Sequence, residues 1–355
     1  MSGVFARGSG HEQIVFCHDA PTGLRAIIAI YSTALGPSLG GTRFYPYRDE
    51  NAALSDVLRL SRSMAYKSAA AGLPLGGGKA VILGDPHQLK SAELLRAYGR
   101  FIESLSGRYI TACDVGTSPE DMDVIAQETG HAVGRTAERG GAGDSAILTA
   151  LGVLQSLRAA AAQCFGTTEL SGLRVNVEGV GKVGHRLVGH LVAEGASVSV
   201  CDPDDVAVKR TVTAFPDVRV LPDADALRAA DADVYAPCAL GGSLTTESVR
   251  TLRARLVCGA ANNQLGSAGV ERLLAERGIL WIPDFVANAG GLIQVADERH
   301  GFDFERARAR VLGIHETTGR LLARAERDGR LPSDAANAMA EERIAAVARG
   351  AAIPA

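Results

Sequence analysis

Lys67 and Lys79 stand twelve residues apart in a chain that otherwise favours arginine: 32 of its 37 basic residues are Arg. Arginine keeps its proton in a protein, whereas a buried lysine can lose it. Two amines in one partly desolvated pocket disfavour each other's charge, which lowers at least one pKa. A neutral amine then serves as a general base near pH 7, and a charged one binds a carboxylate. Asp114, in Thr111-Ala112-Cys113-Asp114-Val115-Gly116-Thr117, follows a strand-like run over 108–111. It is the first candidate for a second proton-transfer group; a helix cap or an ion-pair partner is the structural alternative. Cys113 lines the same segment without having to react. Asp121 and Asp123 read as first-turn helix acids.

Gly76-Gly77-Gly78-Lys79 invites a P-loop reading, but that template needs Gly at position 73 and Ser or Thr at 80. The chain has Leu73 and Ala80, which excludes it. What remains is a glycine-rich turn that lets a substrate sit close to the backbone and to Lys79.

The second half carries a nucleotide signal. A strand pattern, Leu173 to Val177, runs into Gly179-Val180-Gly181-Lys182-Val183-Gly184, then a helix with Val183, Leu187, Val188, Leu191 and Val192 on one face. Gly195 closes that helix, and Ser197–Cys201 reads as a second strand ending at Asp202. This is the dinucleotide fingerprint in its required context. Gly179 makes the turn, Gly181 admits a pyrophosphate, Gly184 allows close packing, and the helix start offers N–H groups to phosphate. The Asp202 carboxylate can hold a ribose hydroxyl and repels a 2′-phosphate, favouring NAD over NADP. Lys209 and Arg210 could hold such a phosphate but read first as a solvated face. His185 and His190 read as surface or packing residues. Three further strand-like runs, 232–237, 256–259 and 280–283, end in Cys238-Ala239, Ala260-Ala261-Asn262-Asn263 and Asp284 through Gly291. Ligands bind at such strand ends in open α/β sheets.

These elements predict an α/β chain, and 355 residues predict two domains. Net charge is −3 with no block of like charges, which argues against nucleic acid or an anionic membrane as partner. The start, Met1 to Gly8, has no leader-like apolar core, and no unbroken apolar run reaches the roughly 18 residues of a membrane span. Six scattered cysteines without a Cys-x-x-Cys pair predict reduced thiols in a cytoplasm, with no metal site.

Taken together, these residues resemble the amino-acid dehydrogenases of the glutamate/leucine/phenylalanine/valine family, nearest its actinomycete valine-type branch. The resemblance spans nearly the whole chain and rests on Leu35 through Arg43, Gly72 through Lys79, the Asp114 segment, the fingerprint, Gly259 through Asn263 and Pro283 through Gly291. It implies NAD-linked oxidative deamination. Lys79 activates water, Lys67 binds the α-carboxylate, and Asp114 exchanges protons with the amino group. Gly40 and Asn262 contact substrate and cofactor near the reacting carbon, and Thr149 holds the nicotinamide amide. Glutamate-specific relatives place Lys at the position of Leu39, so an apolar residue there predicts an uncharged substrate side chain. Ala112, Leu292 and Val295 complete an aliphatic pocket. A branched-chain substrate follows, valine first and then leucine or isoleucine. Phenylalanine or a broad range is the alternative within enzymes, and an inactive NAD-binding regulator the alternative outside them. The family architecture implies a substrate domain over 1–140 with a C-terminal return over 325–355. It implies a Rossmann-type NAD domain over 141–324, a hinge at Gly140-Gly141-Ala142-Gly143, a cleft between the domains and a homo-oligomer. The Arg/Ala-rich C-terminal helices read as a solvated face.

Overall fold

Strands rich in Val and Ile, covered by helices on both faces, form the framework in which each candidate residue sits. The computed structural model describes residues 10–350; the chain start read above for a leader lies outside the described residues. Two compact units emerge. The first holds the described residues up to Gly143, then Gln294–Phe304 and the described residues from Ala340; the second holds Asp144–Ile293 and Glu305–Met339.

The first unit is built from β1 (Gln13–Asp19), β2 (Leu24–Ser32), β3 (Ser38–Tyr45), α1 (Glu50–Ala70), β4 (Gly76–Leu83), α2 (Ala92–Glu103), β5 (Tyr109–Cys113) and α3 (Pro119–Ile125). Its mixed sheet has the order β1-β2-β4-β3-β5, with β3 parallel to both β4 and β5. Alternate residues of β2 and β4 serve opposite faces. Ile27, Ala29, Val81 and Leu83 pack on Ala53, Leu54, Val57 and Leu58 of α1. Ile28, Ile30, Ala80 and Ile82 pack with Leu94, Leu95 and Tyr98 of α2.

The run Gly76-Gly77-Gly78 is not the turn expected from its composition. It begins β4, and every residue of that strand is buried. A Cβ on Gly76 would lie 1.9 Å from the Ser32 carbonyl oxygen, one on Gly77 2.1 Å from the Ala65 nitrogen, and one on Gly78 2.7 Å from the Tyr109 ring. The glycines let strand and helix backbones touch, which no side chain would permit.

The second unit comprises α4 (Ala146–Phe165), β6 (Arg174–Glu178), α5 (Lys182–Ala193), β7 (Ser197–Cys201), α6 (Asp205–Ala214), β8 (Arg219–Val220), β9 (Val234–Pro237), β10 (Leu256–Val257), β11 (Leu280–Trp281), α7 (Gly290–Asp297), α8 (Ile314–Asp328) and α9 (Pro332–Ala348). The boundary between units falls inside α7, after Ile293, and inside α9, after Met339. All six strands are parallel, in the order β8-β7-β6-β9-β10-β11. That is the doubly wound dinucleotide-binding topology. β10 and β11 are only two-residue ladders, shorter than their apolar runs suggest. α4 is long and apolar enough to cross a membrane by length and composition. It is the core helix here, with Val153, Leu157 and Ala160 packed among the sheet's Val175, Val177 and Val234. On α8, Leu321 and Leu322 are buried while Arg320 lies at the surface, 3.6 Å from Glu316.

Candidate active site

In the first unit, strand register assembles one chemical face. Leu39 pairs with Gly77 and Ile110, and Gly41 pairs with Ala112, so these side chains share the α1 side of the sheet. Lys79, two residues beyond Gly77, falls on the same side. Gly41 has no side chain because a Cβ would meet the Cys113 carbonyl at 2.4 Å and the Asp114 Cβ at 3.0 Å. That gap admits Asp114, whose Oδ2 accepts a hydrogen bond from the Lys79 ammonium. Lys67 lies in the last turn of α1. The backbone contact between Gly77 and Ala65 brings that turn close enough for the Lys67 charge to act on Lys79.

Lys79 is only 5% exposed. Burial pushes its pKa down to about 7, and the positive charges of Arg43, Lys67 and Arg59 add to the effect while Asp56 opposes it. Asp114 is not a helix cap, since α3 is capped by Ser118 in a box with Asp121. Asp114 is instead held by ion pairs and backbone. Its Oδ1 accepts from the Val115 N–H at 2.5 Å and lies 3.4 Å from Arg43 Nε. Its own N–H donates to Thr117 Oγ1 at 2.9 Å. Cys113 donates its thiol to the Gly134 carbonyl, and burial raises its pKa to about 12, so it is inert packing.

Sequence reasoning overlooked the charges behind Asp114. Arg43 Nη1 donates to Asp56 Oδ2 at 2.8 Å, and Asp56 also accepts from Tyr47 Oη and Arg59 Nη2, each at 2.7 Å. A faint signal existed: Asp56 and Arg59 stand three apart on α1, facing the strand that carries Arg43. Gly40 owes its identity to packing, because a Cβ there would lie 1.7 Å from the Gly78 oxygen. Its carbonyl accepts from Tyr109 Oη at 2.6 Å.

In the second unit, the glycine loop divides its labour. A Cβ on Gly184 would lie 1.9 Å from the Gly179 oxygen, and one on Gly179 2.8 Å from Ala239. A Cβ on Gly181 would meet nothing within 4 Å. Gly181 also caps α5 without a side chain, so the first N–H groups of that helix face open space. Val180 is fully buried, whereas Lys182 is exposed. The Asp202 carboxylate ends β7 and accepts from the Val180 N–H at 2.7 Å. Arg210 is not merely a solvated side chain: its Nη2 donates to the Val180 carbonyl at 2.7 Å and braces the loop. His185 bonds Thr211 at 2.9 Å and packs against Phe215 with the rings tilted by 42°.

The other strand ends cluster around the same sheet edge. Cys238 donates its N–H to the Glu178 carbonyl at 2.7 Å. Asn262 Oδ1 accepts from Asn288 at 2.7 Å, and Asn263 takes the left-handed conformation of a turn, φ 52°. Gly290 and Gly291, expected as ligand contacts, open α7 and serve packing instead. A Cβ on Gly290 would lie 1.9 Å from the Leu148 oxygen, and one on Gly291 2.7 Å from Thr149 Oγ1. Thr149 itself bonds the Ser145 carbonyl at 2.8 Å. Leu292 and Val295 are half-buried on α7 and belong to the second and first unit respectively. The first unit therefore gathers Lys67, Lys79, Asp114, Leu39, Gly40 and Ala112, and the second gathers the glycine loop, Asp202, Thr149 and Asn262.

Comparison with known proteins gives these two sets a context. The family model "Glu/Leu/Phe/Val dehydrogenase, dimerisation domain" matches residues 11–131, and "Glutamate/Leucine/Phenylalanine/Valine dehydrogenase" matches 203–350. The chain is 57% identical to a valine dehydrogenase of Streptomyces albus, over 95% of this chain and 93% of the relative. It is 48% identical to the leucine dehydrogenase of Bacillus subtilis, over 94% and 91% respectively. The crystal structure of L-tryptophan dehydrogenase from Nostoc punctiforme superposes with a TM-score of 0.87 at 41% identity, covering 97% of this chain and 98% of that one.

Proposed function

The chain belongs to the glutamate/leucine/phenylalanine/valine dehydrogenase family, and from that premise we propose that it oxidatively deaminates branched-chain L-amino acids with NAD, valine first. One observation carries the reading: a buried amine with a pKa of about 7 sits on a carboxylate, on a sheet face that also presents Leu39, Gly41 and Ala112. Members of this family are nicotinamide-dependent amino-acid dehydrogenases.

The residues present fit that cofactor. The open backbone at Gly181 and the uncapped start of α5 suit a pyrophosphate, and Asp202 suits an unphosphorylated ribose. Thr149, Cys238, Ala239 and Asn262 would hold the remainder. When bound, the nicotinamide supplies the acceptor for the α-hydrogen and its electron pair.

The chain's own groups do the rest. Lys67, in the last turn of α1, binds the substrate α-carboxylate. Asp114 takes a proton from the substrate ammonium, which frees the nitrogen lone pair to form the imine. Neutral Lys79 accepts a proton from water as its oxygen adds to the imine carbon. Asp114 returns its proton to the nitrogen, and as the carbon–nitrogen bond breaks the hydroxyl of the adduct gives its proton to the departing ammonia, leaving a 2-oxo acid and ammonium. A glutamate side chain would place a second carboxylate against Leu39 with no cation to meet it, a cost of several kcal/mol. Leu292 and Val295 supply further aliphatic surface from α7.

A panel of L-amino acids assayed for NADH formation tests this. Valine, leucine or isoleucine should exceed glutamate by several orders of magnitude. Preference for phenylalanine would replace the substrate assignment, and NAD binding without turnover on any amino acid would replace the enzyme with a regulator. Lys79→Ala should lose about 10²- to 10⁴-fold in kcat while NAD affinity, read by fluorescence titration, stays unchanged. Near-normal turnover in that variant would sink the role given to Lys79.

A further inference from the structure

A second group of charges lies at the other end of the first unit's strands. Asp114 follows the C-terminal end of β5, whereas a cavity of about 630 Å³ opens beside its N-terminal end. Pro37, Ile110 and Val133 form an apolar wall, and His131, Arg135, Arg139 and Arg299 supply positive or protonatable groups. None of these four serves the proposed reaction.

Two of the guanidinium groups have no explanation within the fold. Among the described residues, the Arg139 and Arg299 side chains make no hydrogen bond and no ion pair. Arg299 is nevertheless half-buried, and burial lowers its pKa with no acid to offset the loss of water. Arg135 directs its Nε to Asp123 at 3.0 Å, and the His131 ring packs over Gly107, where a Cβ would lie 3.0 Å away. Glu298 is the acid in the lining, but its two oxygens are taken by the N–H groups of Gly134 and Ala142, each at 2.7 Å. It pins the segment between them and its charge acts on Arg135, which leaves Arg139 and Arg299 without an acid partner.

We propose that this cavity binds a phosphate group, free or carried by a small organic molecule, at the N-terminal end of β5, the opposite end of that strand from Asp114. Guanidinium forks match phosphate oxygens in geometry and charge. The volume falls within the range of small-molecule sites and exceeds what a lone phosphate needs. The apolar wall at Ile110 and Val133 gives an organic portion somewhere to rest. Binding places a dianion beside Arg139 and Arg299, whose guanidinium groups have no acid partner, so it stabilises the fold and weakens with added salt.

Isothermal titration of the full chain at low ionic strength tests the site. The probes are inorganic phosphate, ribose 5-phosphate, succinate, and ribose as the uncharged control; ribose 5-phosphate carries no base that a dinucleotide pocket could seize. Phosphate or its ester should bind at one per chain, and the tighter of the two identifies the free ion or an ester as the ligand. Arg299→Ala should weaken binding about tenfold, and Arg139→Ala combined with it should abolish it. Because neither side chain holds the fold together, both variants should melt at or above the parent temperature and keep NAD affinity. No heat from either phosphate, equal binding by parent and double variant, or binding of succinate alone would each overturn the proposal. The readout does not use dehydrogenase turnover, so it stands or falls apart from the assigned reaction.

Discussion

At the scale of single residues, the site depends on how far Lys79 is driven from its ordinary proton affinity. With a folded pKa of about 7, its amine is charged below that pH and neutral above it. For oxidative deamination the neutral form is the base, so kcat/KM should rise about tenfold per pH unit below that value and level off above it. The neighbours set where the bend falls. Arg43 carries positive charge towards Lys79 and donates to Asp114 as well as Asp56. Arg43→Gln removes that charge, lets Lys79 hold its proton more tightly and moves the bend to higher pH. Asp56→Asn removes a negative charge and moves it to lower pH. Each displacement should reach up to about one unit. A purely structural role for the pair predicts lower activity with the bend unmoved, which pH profiles of both variants would reveal.

At the scale of elements, two glycine clusters look alike in composition and do opposite work. Gly179-Val180-Gly181-Lys182-Val183-Gly184 was legible because a strand and an amphipathic helix flank it, and only one local geometry satisfies both. Gly76-Gly77-Gly78 was not, because a strand buried on both faces has no alternation to betray it and glycine spells a turn to any local rule. What fixes it is a long-range event, the α1 backbone at Ala65 pressing on Gly77. The charge cluster of Arg43, Asp56, Arg59 and Tyr47 was obscure for the same reason, since it exists only once α1 lies across β3. Lys79 and Asp114, which the structure brings together, stood out in the sequence because charged residues are costly to bury without a partner. Substitutions separate the two glycine roles. Gly77→Ala should cost about 3 kcal/mol or more in a denaturant titration, because backbone must move. Gly181→Ala, at φ −63° with open space around it, should change stability by less than about 0.5 kcal/mol yet weaken NAD binding about tenfold.

At the scale of the whole molecule, the first unit's sheet ends in an edge strand, β1, which among the described residues pairs on one side only, with β2, within the segment matched by a family model described as a dimerisation domain. Phe16 on that strand is 61% exposed, an apolar surface that an isolated chain gains nothing by showing to water. An open strand edge with an exposed aromatic is also a template for pairing with another chain. We therefore expect a homo-oligomer that uses this edge. Phe16→Glu should shift the sedimentation profile to smaller species while leaving the circular dichroism spectrum intact. An unchanged mass would place the assembly surface elsewhere.

The stretch from Gly76 to Lys79 spends each glycine on a different neighbour, and so it has almost no freedom to drift. Leu39, Ala112, Leu292 and Val295 carry side chains of different sizes, so none of these positions demands glycine. A saturation library should show this as a silent block at 76–79 beside permissive positions around it. A protein engineer seeking a new substrate range would diversify the four aliphatic positions and leave the amine-bearing strand untouched. The reaction is then hard-wired while the diet stays adjustable, the fixed part on β4 and the adjustable part on β3, β5 and α7.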